Sequence, residues 1–229
     1  MPPGRPWTPG DILRVVEAAS ALGGVAETAG GLGGVVEAAG GPGGVVEGVG
    51  GLGRGGRLPS DHPRLGGWVG IDDDSVAGLR RHAPWAAGDL TRLQALERDG
   101  LAAARGGSLV HGDLYPHNIL LTADRVVFVD WPHARLGSPT VDLVAFLSSV
   151  AADGLDPEPF VPEDAVAVTE VLAAHTGFLL AGGLAAPPPG LEAIAAAKLR
   201  LGIGALGWLR RRLRVEVSAD APGPDGTTA

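Results

Sequence analysis

The sequence predicts a mainly helical α+β protein preceded by a glycine-rich low-complexity segment. Three observations carry this expectation. A decapeptide repeat fills much of the chain before residue 60, helical patterns occupy most of residues 60–215, and two short β-type runs, NILLT and RVVFVD, interrupt them near residue 120. The 229 residues include 45% hydrophobic side chains, enough for a core, but the 38 glycines and 19 prolines mean that not every segment can pack.

Residues 1–10 carry four prolines and read as an irregular lead-in. From Asp11 the stretch DILRVVEAAS is a short helical pattern, with Ile12, Leu13, Val15 and Val16 apolar. The repeat follows as EAASALGGVA, ETAGGLGGVV, EAAGGPGGVV and EGVGGLGRGG, with glutamates at 17, 27, 37 and 47. Gly-Gly pairs oppose helix and strand alike and offer little side-chain area against ordering entropy, so residues 1–59 are expected to be a disordered segment. The glycines recur periodically and lack a GK[ST] ending, which argues against a phosphate loop.

Globular sequence starts near residue 60. Asp72, Asp73 and Asp74 precede SVAGLRRH, where acidic residues suit a helix N-terminus better than a metal site. DLTRLQALERDGLAAARG reads as an amphipathic helix with Asp89 as N-cap, weakened in its second half by Gly100. SLVHGDL is a short apolar run leading into a hairpin of NILLT and RVVFVD through Ala123-Asp124. SPTVDLVAFLSSVAADG is a helix with Ser138 as N-cap and Gly154 near its stop. Two further helices, PEDAVAVTEVLAAHTGFLLAGG and LEAIAAAKLRLGIGALGWLRRRLR, are separated by Pro187–Pro189, and residues 216–229 read as a disordered tail. Trp208 and Phe178 are expected in the core, His175 is a tolerated polar position, and Arg210, Arg211, Arg212 and Arg214 complement a helix C-terminus.

A net charge of −8 argues against a general nucleic-acid binder and is compatible with a cationic small substrate. The absence of cysteine excludes disulfides, thiolate zinc sites and cysteine nucleophiles. No signal pattern and no long apolar run is present, so the expected setting is cytoplasmic and without a membrane span.

Chemistry concentrates in HGDLYPHNILLTADRVVFVD, residues 111–130, which hold the chain's single asparagine and single tyrosine. Phosphoryl transfer needs cations on the phosphate oxygens, hard ligands for those cations and a group that orients the attacking hydroxyl. Asp113 on the loop is placed to accept or orient the hydroxyl proton. Asn118 and Asp130, at facing ends of the hairpin, are placed to hold magnesium. The plainer alternative makes Asp113 and Asn118 turn formers and Asp130 a strand-end cap. His111 suits bracing of the backbone near Asp113 more than direct chemistry; His117 and His133 flank the site with no assigned role. Asp142 either braces the loop through a backbone hydrogen bond or faces solvent.

HGDLYPHNIL followed by VFVDWPHARLGSPTVDLVAF resembles the aminoglycoside phosphotransferase and related small-molecule kinase family, which has a protein-kinase-like fold. The resemblance covers about residues 60–215, which it identifies with the helical C-terminal lobe. It implies Asp113 as the catalytic aspartate, Asn118 and Asp130 as magnesium ligands, and Asp142 as the acidic position of the helix after the metal-binding aspartate. It also implies ATP as phosphoryl donor, with magnesium, and a hydroxyl-bearing small molecule as acceptor. Such kinases carry an N-terminal sheet with a lysine that contacts the phosphates. Before residue 60 nothing reads as that sheet, and Lys198 is the only lysine, in a late helix away from the expected phosphates. The expected N-terminal lobe is therefore missing or degenerate. The alternative expectation is a catalytically dead remnant that binds a small molecule or partner.

Overall fold

Two antiparallel backbone exchanges anchor the middle of the chain, and helices close around them. The structure is a computed structural model, described here for residues 7–22, 44–46 and 62–219. Helix α1 spans Pro9–Leu22 and strand β1 Gly44–Val46; α2 (Asp73–His82), α3 (Pro84–Gly88) and α4 (Leu90–Ala103) follow. Strand β2 (Ser108–Val110), a 3-10 turn at Pro116–Asn118, β3 (Ile119–Leu121), β4 (Val126–Phe128) and β5 (Arg135–Gly137) form the central segment. The long helices α5 (Thr140–Ala152), α6 (Val168–Leu184) and α7 (Glu192–Ala219) complete it. The protein is thus mainly helical α+β.

β3 and β4 pair antiparallel, Ile119 opposite Phe128, and β1 adds to the far side of β4 in parallel. β2 and β5 form a separate antiparallel pair, with Val110 opposite Arg135. The pairing of β2 with β5 returns the chain to the start of the loop that carries Asp113.

The core runs through all of this. Ile12, Val15 and Leu22 of α1 are buried with Leu109, Ile119, Phe128, Phe146 and Trp208. The spacing of those α1 residues puts them on one helical face, the expected signature of a helix laid on a core. Arg14 on α1 donates to the carbonyls of Thr122 (2.8 Å) and Arg125 (3.1 Å), tying the helix to the hairpin tip. The start of the decapeptide repeat, from Glu17 to Leu22, is therefore the end of a packed helix. Beyond it only Gly44–Val46 of the repeat is described. The expected disorder of the remainder, and of the tail beyond Ala219, lies outside the described residues, and α7 covers the first residues of that tail.

Several local expectations are corrected. Gly100 does not end α4, which continues to Ala103: a Cβ there would run into the Glu170 carbonyl and Ala174 of α6, so glycine lets the two helices approach closely. Helix α6 starts at Val168, not near Pro162, because residues 162–167 turn and Ala167 takes a left-handed conformation, φ 54°. The arginines at 210–214 are not at a helix end, since α7 continues to Ala219. Instead Arg211 pairs with Asp156, Arg212 bonds Glu158 and Thr169, and Arg210 lies over the Trp85 ring. Asp72 caps α2 by accepting from the Ser75 N–H at 2.7 Å, and that hydrogen bond lowers its pKa. Asp89 occupies the N-cap position of α4 without a side-chain hydrogen bond.

Candidate phosphotransfer site

The His111-Gly112-Asp113 turn leaves the end of β2 and is held from behind by α5. Asp142, only 2% exposed, accepts the backbone N–H of His111 through Oδ2 at 2.6 Å and that of Gly112 through Oδ1 at 2.9 Å. The carboxylate therefore faces the turn and not solvent. Burial raises its pKa, with His111 and the two N–H donors opposing that shift. Gly112 has φ 76°, and a side chain there would meet the His133 carbonyl, so the turn requires glycine.

His111 is fully buried. Its Nε2–H donates to the Val129 carbonyl at 2.9 Å, and its ring lies 4.5 Å from the Trp131 ring, centroid to centroid. It thus links the turn to the end of β4. Its neighbours are backbone and indole, which is bracing geometry.

Asp113 is 8% exposed, and its Oδ1 accepts from Arg64 at 2.8 Å. Asn118 is buried against it: Nδ2 donates to the Asp113 carbonyl at 2.9 Å and reaches its Oδ2 at 3.5 Å. The Asn118 carbonyl in turn accepts from the Val129 N–H at 3.0 Å, which sets Asn118 beside the residue preceding Asp130. Asp130 is exposed at the end of β4 with φ 64°, a left-handed conformation that aspartate tolerates better than most residues. Asp113 and Asn118 are thus in direct contact, and the Asn118 carbonyl meets the residue that precedes Asp130.

Arg64 escaped the sequence reading. It lies in the DHPRLGG stretch with no periodic or motif signal, and it reaches Asp113 across 49 positions. Its second guanidinium nitrogen sits 2.7 Å from His133 Nε2, and burial together with Arg64 lowers the His133 pKa. Glu97 of α4 was also missed. Buried, it accepts the N–H groups of Gly67 and Trp68, both at 2.7 Å, and so organises the loop that follows Arg64.

Tyr115, the single tyrosine, is buried behind the site. Its hydroxyl lies 3.1 Å from His175 Nε2. Burial, with Asp113 adding to it, raises the Tyr115 pKa, while burial pushes His175 down to about 4. A neutral imidazole accepting from a protonated phenol satisfies both shifts. His175 is thus a partnered core residue. His117 is exposed and stacks on Tyr115 at 6.0 Å.

Asp113 opens on a cavity of about 540 Å³. Arg64, Tyr115 and His117 line it on the loop side; Phe178 and Lys198 contribute from α6 and α7. Phe178 is partly buried against the core and also forms cavity wall. Lys198, expected far from the site, shares this cavity with Asp113.

A sequence profile described as the phosphotransferase enzyme family, APH, matches residues 6–173. The chain belongs to that family. The match reaches back over α1 and the repeat, well before residue 60, and ends within α6, so α7 lies beyond it. Protein LicA of Haemophilus influenzae is 44% identical over 50 residues, which is 20% of this family member and 19% of LicA. No solved structure matches the chain. Among the described residues no helix is long and apolar enough to cross a membrane.

A divalent cation bound by such a family member would need hard oxygen ligands. Asn118 has its amide nitrogen committed to Asp113, so any cation it holds is held through Oδ1; Asp130, next to the Val129 that bonds Asn118, is exposed. No cluster of three or more His, Cys, Asp or Glu able to hold a metal occurs among the described residues. Oxygen donors of this kind suit magnesium, which is commonly bound through one or two carboxylates with substrate phosphates and water supplying the rest.

Proposed function

We propose that this chain is an ATP- and magnesium-dependent phosphotransferase that moves the γ-phosphoryl group to a hydroxyl of a small molecule seated in the cavity beside Asp113. The observation that carries the reading is Asp113 lining that cavity while hydrogen-bonded to Asn118. Asp113 accepts or orients the proton of the attacking hydroxyl; Arg64 fixes its carboxylate, and Asp142 fixes the turn beneath it. Asn118 and Asp130 would hold magnesium, which when bound would supply charge neutralisation at the phosphates. His111 braces the end of β4. The helices and hairpin correspond to the C-terminal lobe of a kinase-like fold, in a soluble, cytoplasmic protein that binds neither nucleic acid nor membrane.

A second reading has an observation of its own. Arg64 occupies one Asp113 oxygen, and the chain has no lysine before Lys198, which favours a lobe that binds a small molecule or partner without transfer. Phosphorus NMR of ATP with magnesium and a panel of hydroxyl acceptors separates the two. The phosphotransferase reading expects acceptor-dependent transfer that falls by about 10²–10⁴-fold in Asp113→Asn with the fold retained. Transfer unchanged in that variant removes Asp113 from the mechanism, and no transfer to any acceptor favours the binding reading.

A further inference from the structure

The charges around the cavity do not balance. Two of its cations are neutralised locally, Arg64 by Asp113 at 2.8 Å and Arg200 by Asp153 at 3.0 Å. Lys198, the third, makes no ion pair among the described residues. Its position is built: the side chain lies across Gly182 of α6, where a Cβ would come within 2.9 Å of both its Cδ and its Nζ. Its Nζ stands 4.5 Å from the centroid of the Phe178 ring. The surrounding wall is apolar, from Leu179, Ile194, Ala197 and Leu201. Burial lowers the Lys198 pKa, with Arg64 adding to that, as expected of a cation held in a partly dry site without a counter-charge.

We propose that Lys198 is the anion-recognition residue of the acceptor subsite, so that the compound phosphorylated carries a carboxylate on an apolar body as well as the hydroxyl presented to Asp113. One unbalanced positive charge matches a monoanion better than a phosphate dianion, and the apolar wall matches the body between the two polar ends. The inference rests on the phosphotransferase reading for the hydroxyl end. It reverses what the net charge of −8 invites, a cationic substrate, because the cavity samples only its own lining.

The test is calorimetric titration, without nucleotide, of three probes of one size: para-(hydroxymethyl)benzoate, para-(hydroxymethyl)benzamide and para-(hydroxymethyl)benzylammonium. The benzoate is expected to bind about tenfold or more tightly than the amide, the size of a charge-assisted hydrogen bond. Lys198→Met and Lys198→Gln should erase the preference and Lys198→Arg keep it, with circular dichroism confirming the fold of each. A preference for the amide or the ammonium, a carboxylate preference that survives in folded Lys198→Met or Lys198→Gln, or no binding of any probe overturns the proposal. The preference without phosphoryl transfer would sink the transfer reading and leave the subsite standing. Transfer to neutral acceptors without the preference would do the reverse.

Discussion

Arg64 and Asp113 form a 2.8 Å ion pair at the mouth of the cavity, joining two loops 49 residues apart. The pair holds the carboxylate in one rotamer and gives it a charged partner where it lines the cavity. Arg64 is also close to His133, so a single guanidinium sets both side chains.

Removing Arg64 should therefore act on turnover more than on nucleotide affinity. Arg64→Gln is expected to lower kcat by about tenfold or more through a misplaced Asp113, with KM for ATP little changed. Arg64→Lys should recover only part of the loss, since an ammonium cannot hold Asp113 and His133 together through a planar fork. Steady-state kinetics decide it. A rise in KM for ATP at constant kcat would contradict the positioning role.

Folding stability should fall in acid through His175. Its pKa is pushed down to about 4 from 6.5, chiefly by burial beside Tyr115. In the unfolded chain the imidazole takes a proton as pH drops below 6.5, whereas the folded protein resists until about 4. The unfolded state binds more protons in that window, so stability rises with pH across it and is lost as pH falls through it, by about 3 kcal/mol. His175→Gln keeps a polar partner for Tyr115 and removes the titration. Urea melts across that range should show a shallower slope for the variant, and parallel curves would contradict the assignment.

Gly100 offers a packing test. Ala is the better helix former by about 1 kcal/mol, so on propensity alone Gly100→Ala would stabilise α4. The Glu170 carbonyl blocks the new methyl group, and α6 cannot retreat without disturbing the cavity wall it supplies. Overpacking of about 1–3 kcal/mol should win and lower Tm by several degrees. A higher Tm would show that α4 and α6 have slack.

Local signals explain which features could be read from sequence. The hairpin was legible because NILLT and RVVFVD are short apolar β-type runs joined through Ala123-Asp124, and β3 and β4 form where those runs lie. Helix α5 was legible from Pro139 and Gly154, but its N-cap is Pro139 and not the expected Ser138, whose hydroxyl is 3.4 Å from the Thr140 N–H; Gly154 takes φ 85°. The expectation for Asp113, Asn118 and Asp130 came from their spacing and from the resemblance of the segments around them. Features decided by partners distant in sequence were not legible. Arg64, Glu97 and Lys198 acquire meaning only when a loop, α4 and α7 meet the site, and no periodicity encodes that meeting. The late start of α6 is similar: residues 162–167 carry helix-compatible side chains, but the chain turns there and Thr140 bonds the Val166 carbonyl at 3.1 Å.

The central claim is that Asn118 and Asp130 bind nucleotide through magnesium beside Asp113. Calorimetric titration of ATP into the purified chain, first with magnesium and then with chelator, tests it most directly, with Asp130→Asn as the control because asparagine also tolerates the φ of 64°. The account predicts binding that requires magnesium in the parent protein and is weakened in Asp130→Asn only when magnesium is present. Binding of equal strength in chelator, or an equal loss in the variant with and without magnesium, would contradict it.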